Sequence, residues 1–243
     1  MLPKIDVPTH EINLISTGKP VRFRPFLVKE QKLFLMASEQ TDAKETINVI
    51  RQVLRNCILD DIDIDNLPTF DLEYLFMNLR ARSVDEVVNL KYKCNNKVPD
   101  DEGNEKNCTG VVEYDINILD IKPTIHENHE SKIQINDDVG VNMRYPTFEM
   151  VQQYETLDEN ELMSKVLVDC IEYVYDKEQI YYAKDTPKNE LEEFVDSLQQ
   201  KDVEKFRAFF DTIPELKKEI SFECPKCKYK EEIMVKGIQN FFV

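Results

Sequence analysis

The chain has 243 residues, of which 47 are acidic and 31 basic, and its formal charge at pH 7 is −16. A hydrophobic fraction of 42% with 13 phenylalanines and 10 tyrosines indicates a folded, globular protein. So acidic a surface repels phosphate backbones and excludes nucleic acid and anionic membranes as expected partners, whereas basic protein surfaces remain suitable. No apolar run is long enough to cross a bilayer.

The N-terminal residues lack the basic start and the continuous apolar stretch of a signal peptide. We therefore expect a protein of the reducing cytoplasm. In that compartment, cysteines bind metals or pack in cores more often than they form disulfides.

Residues 1–83 are predicted to form a strand followed by helices. Residues 20–26 alternate in part and indicate the strand, and apolar residues at helical spacing predict helices over 41–59 and 70–82. Asp42 and Glu45 match a capping box at the start of the first of these helices.

Residues 84–145 are predicted to be rich in β-structure. Strands are expected at 87–93, 111–118, 132–135 and 139–144, with turn-forming residues between them. Residues 95–107 are polar, contain Pro99 and Gly103, and are expected to be a loop. His126 and His129 lie in another polar stretch and are expected to be exposed.

Residues 146–243 are predicted to be helical up to a final hairpin. Asp158 and Glu161 match a capping box ahead of an apolar stripe over 162–174. A short strand at 179–183 and helices over 190–199 and 202–211 follow, and 217–223 and 229–235 form the hairpin. The predicted fold class is α+β, with mixed helices and antiparallel hairpins, in one compact unit or two coupled domains.

The six cysteines fall into two sets. Cys57 and Cys170 occupy apolar helical stripes and are expected to be small core residues. The other four lie at strand ends or turns: Cys94, Cys108, Cys224 and Cys227.

The second cysteine set predicts a zinc-ribbon-like module of two hairpins. Cys224 and Cys227 have the two-residue gap of a metal knuckle, while Cys94 ends one predicted strand and Cys108 precedes its partner. Four thiolates suit structural zinc, and iron is the alternative metal. Nearby lysines are expected to offset the charge of the thiolates: Lys91, Lys93, Lys226, Lys228 and Lys230.

Other interpretations of these cysteines remain open. Thirteen residues separate Cys94 from Cys108, and Lys228 stands where such knuckles often have glycine. In one alternative, the Cys-x-x-Cys motif arises by chance, and Cys94 and Cys108 are two unrelated surface thiols. A redox disulfide between Cys224 and Cys227 is a third interpretation, although no thioredoxin-like strand and helix accompany the pair.

No motif in the chain indicates catalysis. The five glycines form neither a phosphate-binding loop nor a dinucleotide fingerprint, and no Gly-x-Ser-x-Gly sequence occurs. Asp61, Asp63 and Asp65 resemble the start of a calcium loop, but Asn66 and Leu72 stand where that loop needs glycine and glutamate. We therefore expect a protein that is not an enzyme.

Three segments carry a resemblance to a known family. They are ARSVDEVVNLKYKC, which ends at Cys94, VGVNMRYPT in the middle, and FRAFFDTIPELKKEISFECPKC with GIQNFFV at the end. Over residues 10–243, the chain resembles the baseplate proteins of contractile-tailed bacteriophages of the T-even type, a group that includes a central hub subunit and the hub assembly catalyst.

The resemblance implies a structural or assembly role in the tail baseplate hub. The implied partners are other hub proteins and the tail tape-measure protein, and the implied location is the host cytoplasm during assembly and then the virion. The alternative is a zinc-ribbon adaptor or regulator unrelated to tails. Four phenylalanines are concentrated near the C-terminus: Phe209, Phe210, Phe241 and Phe242. We expect them either to pack in the cysteine-bearing module or to dock on a neighbouring protein.

Overall fold

A computed structural model describes residue 3 and residues 5–38, 43–99, 103–154 and 159–237. The helices in these ranges are α1 (Val28–Ser38), α2 (Ala43–Cys57), α3 (Thr69–Ser83), α4 (Phe148–Gln153), α5 (Glu159–Cys170), α6 (Lys188–Asp196) and α7 (Gln200–Asp211). The strands are β1 (His10–Asn13), β2 (Pro20–Phe23), β3 (Val87–Lys93), β4 (Lys97–Pro99), β5 (Glu105–Asn107), β6 (Val111–Asn117), β7 (Pro123–Thr124), β8 (Lys132–Gln134), β9 (Gly140–Met143), β10 (Ile171–Tyr175), β11 (Ile180–Tyr182), β12 (Glu215–Glu223) and β13 (Lys230–Lys236).

All pairings among these strands are antiparallel, so the fold is α+β, as the sequence predicted. Within the described ranges, no helix combines the length and the apolar character needed to span a bilayer.

The chain forms two compact units. Unit 1 comprises Met1–Asp61, Glu73–Thr124 and Glu215–Val243, and unit 2 comprises Ile62–Leu72 and Ile125–Pro214. Each unit is therefore assembled from segments far apart in sequence. The division at residues 83 and 145 stays a prediction.

The core of unit 1 lies between helices and two hairpins. In β3, Val88 and Leu90 are buried while their neighbours are exposed, because successive side chains of a strand point to opposite faces. The hairpin of β12 and β13 contributes Ile220 and Val235 to the same core. In α2, the predicted apolar stripe is buried: Ile47, Ile50, Leu54 and Cys57.

The core of unit 2 lies against a four-stranded sheet in the order β11-β10-β9-β8. Val141, Cys170 and Phe206 are fully buried in it. The predicted helical stripe over 162–174 was too long, because the chain leaves the helix at Cys170 and continues as strand β10. The segment Ile171–Tyr175 consists mainly of β-branched and aromatic residues, which pair readily with β9 and β11.

Two loop expectations were wrong. Residues 95–107 contain the short hairpin of β4 and β5, and local alternation was too weak to reveal it. His129 is half-buried, stacks on Tyr145 with 5.5 Å between ring centroids, and approaches the Thr212 hydroxyl to 2.8 Å through Nδ1. A polar sequence around a histidine therefore does not establish exposure, since distant residues decide its surroundings.

Some expectations lie outside the described residues or side chains. These are the two capping boxes, Asp42 with Glu45 and Asp158 with Glu161, and the positions of Phe241 and Phe242. Phe209 packs in the core of unit 2 and not in the module that carries the four cysteines, so that part of the expectation was wrong.

Candidate metal centre

The first cysteine pair stands at the end of the hairpin formed by β3 and β6. Lys93 pairs with Val111 in this ladder, and the N–H of Cys94 continues it by donating to the carbonyl of Gly110 at 2.9 Å. The N–H of Cys108 donates to Asn96 at 2.8 Å. The residues between the cysteines extend the hairpin through β4 and β5, so the long gap does not separate the two thiols.

The second pair stands on the turn between β12 and β13. The N–H of Cys224 donates to the carbonyl of Tyr229 at 2.8 Å, and the N–H of Lys228 donates back to Cys224 at 2.9 Å. Lys228 has a φ of 62°, the left-handed conformation that glycine adopts more easily. The turn therefore has the geometry of a metal knuckle, with Lys228 at the position where glycine would be less strained.

The structure brings all four predicted sulfurs together. They lie within 4.8 Å of one another, with 3.6 Å between Cys94 and Cys227 and 3.8 Å between Cys108 and Cys224. A disulfide would need about 2.05 Å. Four sulfurs about 2.3 Å from a tetrahedral zinc ion lie about 3.8 Å apart, so the arrangement fits a four-coordinate metal.

Amide groups surround the sulfurs. The N–H of Gly110 donates to Sγ of Cys108 at 3.3 Å, and the side-chain amide of Asn96 donates to Cys227 at 3.6 Å. A hydrogen bond from the N–H of Tyr229 is the main reason that the pKa of Cys227 is lowered to about 6. These donors stabilise thiolates, the form in which cysteine binds metal.

Crowding opposes ionisation elsewhere in the cluster. The N–H of Asn96 favours the thiolate of Cys94, but burial and the neighbouring thiols outweigh it and raise the pKa of Cys94 to about 12. Like-charged groups at such distances do not all ionise without a compensating cation. A divalent metal would supply that compensation, since a coordinated thiol is deprotonated outright.

Gly110 is a site residue that sequence reasoning missed. A Cβ atom at this position would overlap Sγ of Cys224 and would lie 3.4 Å from Sγ of Cys108. Only glycine leaves room for the two sulfurs. A signal was present in the sequence, because one of only five glycines follows Cys108 by two residues.

Four of the five lysines expected to offset the charge of the thiolates contact other groups. Lys91 pairs with Glu113 at 2.8 Å, Lys228 and Lys230 approach Glu223, and Lys226 donates to Thr109. No described lysine donates to a sulfur. Backbone and side-chain amides do so instead.

The remaining two cysteines are core residues, as expected. Cys57 and Cys170 are both fully buried. Burial raises the pKa of Cys57 to about 11 and that of Cys170 to about 12. Both thiols therefore stay protonated and are poor metal ligands.

Comparison with known proteins identifies a family. The model of the family described as "T4 bacteriophage base plate protein" matches residues 7–243. Searches of curated proteins and of solved structures gave no match. Because the family model covers nearly the whole chain, including both cysteine hairpins and unit 2, this chain belongs to the T4-type bacteriophage baseplate protein family.

Proposed function

We propose that this protein is a structural or assembly component of the tail baseplate hub, stabilised by zinc on Cys94, Cys108, Cys224 and Cys227. The observation that carries the baseplate role is the family match over residues 7–243. Within the baseplate, the hub is the assignment that the resemblance of the C-terminal segments supports. The partners are then other hub proteins and the tape-measure protein, met first in the host cytoplasm and afterwards in the virion.

The zinc proposal rests on the four sulfurs. Two hairpins distant in sequence each present two thiols, and the separations of 3.6 Å and 3.8 Å between them are close to those of sulfurs around one tetrahedral ion. The metal would join β3 and β6 to the β12–β13 turn and stabilise folding directly, because the unfolded chain has no preformed site. Iron fits the same donor set and is distinguished by elemental analysis.

The site also supports a role without catalysis. Four protein ligands fill a tetrahedral metal, so no position remains for a water molecule that the metal would activate. The three cysteines Cys94, Cys108 and Cys224 are buried, which limits access of any substrate to the ion. We therefore assign the centre to stability and the function to protein surfaces.

Mass spectrometry of purified material tests the hub assignment. We expect the protein in intact tails or in hub assembly intermediates. Presence in intermediates and absence from tails would assign it the role of an assembly factor, whereas presence in both would make it a hub subunit. Absence from both would refute the hub assignment.

Elemental analysis tests the metal. Wild-type protein should contain about one zinc per chain, Cys224→Ala should lose it, and Cys170→Ala should keep it because Cys170 is buried in the core of unit 2 and is not one of the four clustered thiols. Equal, near-zero metal in the wild type and in Cys224→Ala would refute the site. Equal amounts of iron in the wild type and in Cys170→Ala would show that the bound metal is iron and not zinc.

A further inference from the structure

The negative charge of the chain is concentrated in unit 2. Unit 2 contains 24 acidic and 9 basic residues, a formal charge of −15, whereas unit 1 contains 23 acidic and 22 basic residues, a formal charge of −1. A long-range field of this kind steers association and favours partners of opposite charge. The asymmetry therefore points to unit 2 as the part of the molecule that attracts a basic partner.

The described core residues of unit 2 lie against one face of its sheet. Ile133 and Val141 point to the core side of the sheet. In the register, Tyr173 pairs with Tyr182 and Tyr175 with Ile180, so these side chains share the opposite face. We call Tyr173, Tyr175, Ile180 and Tyr182 the tyrosine face.

The tyrosine face is accessible. Ile180 is 51% exposed and Tyr182 is 45% exposed, and both lie on the edge strand β11. Tyr173 and Tyr175 are half-buried beside them. Exposed aromatic and aliphatic side chains that are grouped in this way are typical of protein interfaces, where tyrosine is enriched.

The side chains of the tyrosine face are already ordered. The hydroxyl of Tyr175 donates to Gln134 at 2.7 Å, and its ring covers Gly140, which has no Cβ to obstruct it. The rings of Tyr173 and Tyr182 pack edge to face at 5.8 Å. Ordered aromatic groups lose little conformational entropy on association, which favours binding.

Acidic turns border one end of this face. The turns at 136–139 and 176–179 lie side by side, as the ion pair between Lys177 and Asp138 shows. Asp137 and Glu178 are exposed on them, and no described cation lies within ion-pairing distance of either carboxylate. The result is an aromatic surface with an acidic rim at this end. Two lysines lie over its rings, Lys132 at 4.6 Å from the centroid of Tyr175 and Lys184 at 5.5 Å from that of Tyr182, so the negative charge is confined to the rim.

We propose that the tyrosine face is the docking surface for a protein partner that presents apolar side chains beside a lysine- or arginine-rich patch. The apolar groups cover Ile180 and Tyr182, and the basic patch meets Asp137 and Glu178. A second copy of this chain is disfavoured because two units of charge −15 repel each other. The identification of the partner as a tail protein rests on the proposed function. The location and the chemistry of the surface are independent of it.

Site-specific photo-cross-linking tests the docking surface. p-Benzoylphenylalanine replaces Ile180 in the full chain, in cells that assemble phage tails, and the cross-linked peptide is sequenced. A matched probe replaces Glu192, which is exposed on α6 in the same unit. We expect a product from position 180 that is absent at position 192, with a net positive peptide of another protein attached.

Charge reversal supplies the second arm of the test. Asp137→Lys with Glu178→Lys should lower the cross-link yield at position 180 about tenfold, because the rim then repels the partner. Circular dichroism matching the wild type would show that the variant is folded. The proposal would be overturned if position 180 gave no cross-link, or gave one to a second copy of this chain or to an acidic or neutral peptide. Equal cross-linking from position 192, or an unchanged yield after charge reversal, would also overturn it. A basic peptide from a protein that is not part of the tail would refute the baseplate assignment but retain the docking surface.

Discussion

Replacing Gly110 by alanine adds one methyl group where the four sulfurs meet. Its φ is not in the left-handed region, so alanine fits the backbone and only the added atom perturbs the site. That atom would overlap Sγ of Cys224, whereas non-bonded heavy atoms normally approach to about 3.5 Å. Sγ of Cys224 would have to shift by about 1 Å to restore such a separation.

A shift of this size exceeds what metal coordination tolerates. Metal–sulfur distances vary by only about 0.2 Å, so the ion would be held poorly or by three ligands. Disturbing the support of a metal ligand typically costs about 10- to 100-fold in affinity, or about 1.4–2.8 kcal/mol. We therefore expect Gly110→Ala to bind zinc at least about tenfold more weakly than the wild type.

Competition with a chromophoric zinc chelator measures the affinity. Gly18→Ala is the matched control, because Gly18 has a φ of 68° and no atom within 4 Å of the added Cβ. The control should lose about 1 kcal/mol of stability through backbone strain while keeping the wild-type zinc affinity. Unchanged zinc affinity in Gly110→Ala would refute both the overlap and the metal site built on it.

Three further predictions concern the stability of each unit, measured by urea unfolding. Glu30→Gln should destabilise the protein by about 3 kcal/mol at pH 7, because Glu30 is fully buried and accepts a hydrogen bond from Arg24 at 3.0 Å. The stability of the wild type should fall as the pH drops below about 6.5, and less so in His129→Phe, because burial lowers the pKa of His129. Gly140→Ala should cost about 1–3 kcal/mol, because the new Cβ would overlap the ring of Tyr175.

Acid lowers the stability through both Glu30 and His129, but for different physical reasons. Burial disfavours the charged form of Glu30, but the hydrogen bonds from Arg24 and from the N–H of Leu27 outweigh it and lower the pKa. Its contribution to stability is therefore lost as the pH falls through the folded-state value, and the Glu30→Gln difference should shrink below about pH 4. A constant difference from pH 7 to 3 would contradict this assignment.

The predictions for His129 and Gly140 can each be contradicted by one measurement. His129 titrates in the unfolded chain near pH 6.5 and at a lower pH in the folded protein, so the unfolded state binds the proton first. Identical acid profiles of the wild type and His129→Phe would show that His129 does not contribute. For Gly140→Ala, wild-type stability would mean that Tyr175 can leave its place over the glycine at no cost.

Local sequence patterns were enough for much of the fold and for the four thiols that the structure brings together. Alternation in β3 and helical spacing in α2 identified both elements, because a buried face imposes its period on the sequence. The two-residue gap between Cys224 and Cys227 identified the turn on which both cysteines stand. Cys94 and Cys108 followed from their positions at strand ends, where antiparallel pairing brings the chain ends together.

Contacts between distant residues decided the rest. Cys170 ends a helix and Ile171 begins a strand because β9 and β11 offer partners, although apolar residues continue at helical spacing to Val174. The need for glycine at position 110 arises from a sulfur more than a hundred residues away. The sequence by itself determined the charge of −16 and the four thiols; only the tertiary structure decided that the charge collects in unit 2 and that the thiols meet, because both depend on which segments pack together.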